Sequence, residues 1–222
     1  MNSIGINELR YMLQGLSMTL RLWVVSFFFG MIMGIILGIA KSNHKIKVFR
    51  WIAAAYIDMI RGIPLIVFIL VGYFGANYLG SDIDLPRFGV ASAVLSLYSA
   101  AYLGEIFRSG IESVHKNQWE AASALGFSYV QSLRYVIIPQ AIRITIPSTI
   151  GFLIGLLKGT SMVIVISLTD LTTASRRIAE HTRMPFLVLG LAAMVYFVLN
   201  YPLTKLGEKL EEKYKIKKGS LT

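Results

Sequence analysis

Apolar residues in this chain fall into long blocks separated by short polar, mostly basic stretches. Five blocks stand out, at roughly 12–40, 52–79, 88–111, 137–158 and 184–204. A helix rises 1.5 Å per residue and bilayer hydrocarbon is about 30 Å thick, so about 20 apolar residues make one crossing. The pattern predicts an all-α integral membrane protein with about five transmembrane helices, forming one transmembrane domain over 1–222. The stretch SMVIVISLTDL at 161–171 is apolar but too short to cross alone. It reads as a continuation of the fourth span or a half-buried return. The first span carries Gly30, Gly34 and Gly38 at a spacing of four, which puts three small residues on one face as a seam for another helix.

Composition agrees with the pattern. Of the 222 residues, 55% are hydrophobic and 15% charged, and the mean hydropathy is +0.62. Ordinary soluble domains carry about 25% charge. With no cysteine there is neither a disulfide framework nor a thiolate metal site. His44, His115 and His181 lie far apart, without metal-ligand spacing. The net charge of +10 reads as basic cytoplasmic loops, with no nucleic acid as partner. Glu8 and Arg10 precede an apolar run too long for the h-region of a cleaved leader, so no signal peptide is expected.

Loop charge sets the expected direction. Segment 41–50 holds Lys41, Lys45, Lys47 and Arg50 and no acid. Segment 108–143 holds Arg108, Lys116, Arg134 and Arg143, and the tail 205–218 holds six lysines. The connection GSDIDLPR at 80–87 has two aspartates and one arginine. Positive charge stays inside, so the N-terminus is expected outside and the C-terminus in the cytoplasm. Arg176, Arg177 and Arg183 in 159–183 run against this count. A four-span protein with that region inside is the other arrangement.

The segment WEAASALGFSYVQSLRYVIIP at 119–139 is too polar to cross and too regular for a plain loop. Asn117 followed by Glu120 fits an N-cap with an acidic third position, and Gly126 can end the helix or admit a close partner. Pro139 suits the first turn of the next span. On the residues alone, this is a cytoplasmic surface helix facing water or a soluble partner.

The pattern Glu120-Ala121-Ala122, then Gly126, then Pro139 resembles the EAA loop of ATP-binding-cassette (ABC) importer permeases. The resemblance spans nearly the whole chain. YIDMIRGIPLIVFIL is similar to the Arg-Gly-x-Pro-Leu motif of polar amino acid permeases, AYLGEIFRSGI to their Ala-Tyr-x-x-Glu-x-x-Arg, and LLKGTSMVIVI to their Leu-Lys-x-Thr-Ser. The resemblance implies a type I importer permease fold, with 117–139 as a coupling segment seated in a separate ATPase. Trp119, Glu120, Ala121, Ala122 and Gly126 would form that contact, Trp119 and Tyr129 as apolar anchors and Glu120 paired with a base on the ATPase. The chain lacks a G-x-x-x-x-G-K-[ST] loop, so ATP and magnesium are expected on the partner, with no cofactor on this chain. A second permease copy, identical or not, and an extracellular substrate-binding protein complete the implied assembly in a bacterial cell membrane.

Ionisable groups inside spans point to function by default. Asp58 and Arg61, three residues apart, are expected to pair, and Glu105 and Arg108 repeat that spacing. Both pairs read as gate or scaffold elements. Gly159, between Lys158 and Thr160, is expected to interrupt its helix, and a broken helix is where transporters often hold substrate. By analogy, Lys158, Thr160 and Ser161 would meet an amino acid's charged groups, with Ser99 and Tyr102 facing them. Local backbone capping by the two hydroxyls is the other reading. Gly159 stands where some relatives carry an acid, which argues against a strongly cationic substrate. On the residues, an ion-gradient-driven carrier or channel subunit remains the alternative. Nothing here marks an enzyme.

Overall fold

The computed structural model describes residues 4–43, 46–79 and 86–214. They form helices α1 (Ile6–Ser42), α2 (Lys47–Arg61), α3 (Leu65–Leu79), α4 (Arg87–Glu112), α5 (Lys116–Ala124), α6 (Tyr129–Ser132), α7 (Ile138–Gly159), α8 (Leu171–Thr182) and α9 (Pro185–Tyr214). A π-helical turn, Leu133–Ile137, joins α6 to α7, and a 3₁₀ run, Thr160–Ile166, continues α7. Helices α1, α4, the run Tyr129–Ile166 and α9 are each long and apolar enough to cross a membrane.

The glycine face of α1 meets α4. A methyl group added to Gly34 would stand 2.7 Å from Leu103 Cβ, and one on Gly38 would stand 2.7 Å from Phe107 Cβ. One on Gly30 would overlap Ser99 Cβ. Both partners advance four residues at each step, so α1 and α4 run parallel with their backbones in near contact. Parallel spans that follow one another in sequence need a return crossing between them. Among the described residues, α2 and α3 are the helices that lie there.

That return is not one straight span. Where a single crossing over 52–79 was expected, α2 and α3 meet at 107°. The physical reason is Gly62-Ile63-Pro64: proline has no N–H to continue the ladder, and it pushes the residue before it out of the helical region. The last bonds of α2 close on themselves, from Gly62 N–H to Asp58 and Met59 carbonyls and from Ile63 N–H to the Ile60 carbonyl. α2 keeps Ala53, Ile57 and Ile60 buried against the bundle.

Charged side chains fasten the elbow. Asp58 does not pair with Arg61. Lys41 Nζ reaches Asp58 Oδ1 at 2.8 Å and Glu105 Oε2 at 3.1 Å, and Arg61 reaches Glu105 Oε1 at 3.5 Å. Arg108 holds Glu105 at 2.7 Å and also contacts Glu112. Glu105 is thus shared by α1, α2 and α4, because α2 crosses α4 at its Tyr56–Arg61 end, where the Tyr56 hydroxyl also donates to the Leu97 carbonyl at 2.8 Å. The neighbour in space outcompetes the neighbour in sequence.

The remaining helices alternate in direction. Gly110 abuts Thr145 while Tyr102 stacks on Phe152 with ring centroids 5.7 Å apart, so α4 and α7 are antiparallel. α9 begins beside Met12 and Ile178 and carries Gly207 past Ile150, opposite in direction to α7. α8 returns along the first turns of α1: Leu171 N–H donates to Thr19 Oγ1 at 3.0 Å, and Gly15 lies against the Asp170 carbonyl. Hence α8 sits at the end of the bundle where α1 starts, and α9 finishes at the opposite end. The stretch 161–171 is part 3₁₀ run, part turn, with Ser167 left-handed at φ 57° and Asp170 capping α8 through Thr172 and Thr173 N–H groups.

The seam makes a stability prediction. Gly34→Ala forces α1 off α4, and overpacking of this kind costs about 1–3 kcal/mol. Gly151→Ala, with nothing within 4 Å of the added methyl, gains helix propensity of about 1 kcal/mol. Melting of the detergent-purified protein should show Gly34→Ala below wild type and Gly151→Ala at or above it. Equal midpoints would contradict the seam.

Candidate coupling helix and transport cavity

The segment 117–139 divides into two elements instead of forming one. α5 starts at Lys116, not after Asn117: its cap is His115, whose Nδ1 accepts the Asn117 N–H at 3.3 Å. Glu120 therefore closes no capping box and instead pairs with Lys116 one turn back at 3.1 Å, both exposed. The helix ends as Gly126 turns left-handed at φ 79°. Gly126 N–H then donates to the Ser123 carbonyl at 3.0 Å and Phe127 N–H to the Ala122 carbonyl at 3.0 Å, the paired bonds of a Schellman stop. Ser128 and Gln131 exchange side-chain and backbone bonds to start the next helix.

Ala122 is 2% exposed and forms the inner side of α5, while Glu120 and Ala121 face out. Trp119 and Tyr129 are half-buried and stack on each other, ring centroids 5.6 Å apart and planes 17° apart. Together they pack on the cluster of Ile111, Val114, Leu133 and Ile137. These two aromatics thus tie α5 to its own bundle. The apolar side chains that α5 and its turn expose are others: Leu125 is 76% exposed, and Phe127 and Val130 lie open beside it. Sequence reasoning passed over them because Leu125 and Val130 look like ordinary core residues; the signal was their place on either side of a helix-stopping glycine.

Tyr129 opens a nearly unbroken helical run that reaches Ile166. The residues expected to hold substrate lie at its far end. Gly159 does not break the helix: with φ −63° and ψ −27° it passes the chain from α to 3₁₀ geometry. Thr160 and Ser161 hydroxyls donate to the Leu157 and Lys158 carbonyls, each at 2.7 Å, which is the capping reading of these side chains. Thr160 is fully buried. Lys158 and Ser161 line a cavity of 610 Å³ together with Thr172, Tyr196, Asn200 and Thr204, midway along α9. Ser99 and Tyr102 are not in its lining. Ser99 is fully buried against Gly30. Tyr102 stacks on Phe152 with Arg61 over its face, 5.6 Å from the centroid. The structure thus brings Lys158 and Ser161 together, and adds α9 residues that sequence reasoning did not single out, above all Asn200.

Residues 30–212 match the family described as binding-protein-dependent transport system inner membrane component. The chain belongs to that family. It is 37% identical over 214 residues to the arginine transport system permease protein ArtQ of Bacillus subtilis (strain 168), covering 96% of each chain. It is 34% identical to the glutamate/aspartate import permease protein GltK of Escherichia coli O157:H7, covering 88% of this chain and 89% of that one. A crystal structure of an amino acid ABC transporter with histidines superposes with a TM-score of 0.84 at 35% identity, over 94% of this chain and 96% of that one. The inward-facing MetNI methionine ABC transporter superposes with a TM-score of 0.76 at 19% identity, over 95% and 99%, and speaks for the fold alone. This protein is a multi-pass membrane permease subunit with the type I ABC importer fold. The ion-gradient carrier left open by the residues is not the family that matches.

The Schellman stop carries its own prediction for this permease. A side chain at φ 79° is strained by about 1–2 kcal/mol, and Gly126→Ala has free space but not free backbone. Hydrogen exchange of the α5 amides should speed up by roughly fivefold or more, with exchange in α4 unchanged. Unaltered α5 protection would show that the turn is not held by this conformation.

Proposed function

We propose that this chain is the permease subunit of an ATP-driven importer of polar amino acids, coupled to a separate ATPase through α5. One observation carries the reading. Trp119 of α5 grips Tyr129, and Tyr129 begins the helical run whose far end places Lys158 and Ser161 on the cavity. A push on α5 is therefore a push on the wall of the cavity. Helices transmit displacement well because every backbone group along them is already bonded.

In this reading ATP and magnesium sit on the ATPase, and two ATPases clasp two permease copies. Glu120, Ala121 and Gly126 face the ATPase, with Trp119 and Ala122 behind them, and the exposed Leu125 fits an apolar pocket there. A binding protein delivers the amino acid to the end of the bundle that holds α8. Lys158 and Ser161 are the cavity's substrate contacts; Thr160, Ser99 and Tyr102 support it through packing. The protein lies in a bacterial cell membrane with its N-terminus outside and its C-terminus cytoplasmic. That places Arg176, Arg177 and Arg183 outside, against the positive-inside trend, since α8 packs on the start of α1. The amino acid chemistry comes from the named relatives, among them an arginine and a glutamate/aspartate permease.

Coupling is tested in transporter reconstituted with its ATPase. Leu125→Glu buries a charge in the contact, and losses at central apolar contacts reach about 2 kcal/mol, or more than tenfold. Substrate-stimulated ATP hydrolysis and uptake should both fall by that factor, and Glu120→Lys should lower both. Lys116→Met, on the intrahelical pair, should leave them near wild type. Normal uptake in Leu125→Glu and Glu120→Lys together removes the interface.

Direction is tested with single cysteines, which the chain otherwise lacks. Asn7→Cys and Glu180→Cys should react with an impermeant thiol reagent on intact cells. Asn117→Cys and Glu211→Cys should react only after permeabilisation. The opposite labelling would invert the topology. Ser81, in the connection before α4, lies outside the described residues.

A further inference from the structure

Helix α8 faces two ways. On its inner side Leu171, Ala174, Ile178 and Ala179 are buried, while Thr172 lines the 610 Å³ cavity and meets the Tyr196 hydroxyl at 3.1 Å. On its outer side Arg176, Arg177, Glu180 and His181 are exposed, a spacing that puts them on one helical face. Arg183 follows, also exposed. Every exposed residue of α8 is polar. A helix that lies on lipid turns apolar and aromatic side chains toward it, so this face meets water or a protein.

The charges on the face are unevenly matched. Arg176 pairs with Glu180 at 3.0 Å. Arg177 has no carboxylate partner among the described residues; its Nη1 donates to the Tyr11 hydroxyl at 2.8 Å and to the Thr169 hydroxyl at 3.3 Å. Glu8 borders the same 220 Å³ hollow as Arg177, but its Oε2 accepts the Gly5 N–H at 3.0 Å. Two neutral acceptors thus fix the Arg177 guanidinium and leave its charge and its other N–H groups unmatched. Arg183 pairs with no carboxylate among the described residues either. It stands left-handed at φ 56° where α8 stops. Glycine is the usual residue there, and a side chain is strained. For the fold alone glycine would serve better, and strain of this kind gathers at functional positions.

Taking the chain as an importer's permease with α8 outside, as proposed above, we infer that α8 is the docking helix for the substrate-binding protein, with Arg177 and Arg183 pairing with carboxylates on that protein's surface. A guanidinium offers a planar fork of N–H groups that matches a carboxylate. Two copies of this chain meeting on α8 would set arginine against arginine, which excludes a second permease from the same face. The family is described as binding-protein-dependent, and an amino acid released against α8 is next to Thr172 and the cavity it lines. Pairs on a wet rim act mainly on the encounter of the two proteins and are screened by salt.

The test uses the permease–ATPase complex in lipid nanodiscs. Its probe is the substrate-binding protein that supports uptake by this transporter, loaded with amino acid. The quantity read is the concentration of binding protein that half-maximally stimulates ATP hydrolysis. Arg183→Gly should raise that concentration roughly threefold to fivefold while the complex melts at or above wild type, because glycine relieves the backbone. Arg177→Glu should raise it about tenfold or more, since it sets like charges together. Glu180→Gln, which releases Arg176, should lower it, and a gained affinity cannot come from a misfolded protein. Added salt should shrink all three differences. Unchanged half-stimulation in Arg177→Glu and Arg183→Gly overturns the docking face and leaves the importer reading standing. A wild type that no concentration of binding protein stimulates overturns the importer reading, and the docking with it. If the variants alter hydrolysis without binding protein in phosphatidylglycerol discs but not in phosphatidylcholine discs, and half-stimulation is unchanged, the arginines hold lipid headgroups and the docking is overturned.

Discussion

The structure depends on how closely α1 and α4 approach. Lipid tails are as apolar as leucine, so burial alone does not drive two helices together in a bilayer; close van der Waals packing does. Glycines at 30, 34 and 38 allow it by removing the side chains that would hold the backbones apart. The contact repeats every four residues along both helices, so it sets direction as well as distance. Two parallel spans joined through α2 and α3 then require those helices to make one crossing between them, and α7 and α9 add two more in alternation.

The elbow between α2 and α3 meets a second constraint. A helix bent by 107° leaves backbone and side-chain polar groups that hydrocarbon cannot solvate. The chain answers locally, by closing the end of α2 on its own carbonyls, and across helices, by gathering Lys41, Asp58, Arg61 and Arg108 around Glu105. Part-buried ion pairs are poor as sources of net stability but costly to break one member at a time. Here they hold α2 against α1 and α4, while Gly62-Ile63-Pro64 sets where the bend lies.

The two candidate sites lie on one mechanical element. α5 is held by Trp119 on Tyr129, and the run from Tyr129 to Ile166 ends at the cavity between α7, α8 and α9. The π-helical turn at Leu133–Ile137 and Pro147 inside α7 are two irregular places along that run before its 3₁₀ end at Thr160–Ile166. Such places bend before straight helix does. They separate the part of the run that packs on α5 from the part that lines the cavity.

Much of this protein was legible in its residues. Long apolar runs announce spans because the bilayer length is fixed, the glycine spacing announces a close seam, and a glycine after Ala-Ala announces a helix stop. Glu105 does pair with Arg108 three residues on, but other local readings failed. Asp58 was expected to pair with Arg61 and pairs with Lys41; Asn117 was expected to cap α5 and His115 does; Gly159 was expected to break a helix and only tightens it. Trp119 looked like an outward anchor and is held inward by Tyr129. Asn200 gave no signal at all, since one asparagine in an apolar span is as readily a packing residue as a ligand contact. Local propensity and period depend on neighbours along the chain, so the sequence by itself determined the all-α membrane class, the long apolar helices and the position of the polar helix between α4 and α7. Which charges meet, which hydroxyls are spent on their own backbone and which arginine is left unpaired depend on helix angle and rotation. Those are decided only when the helices pack, because the contacts join residues far apart in the chain.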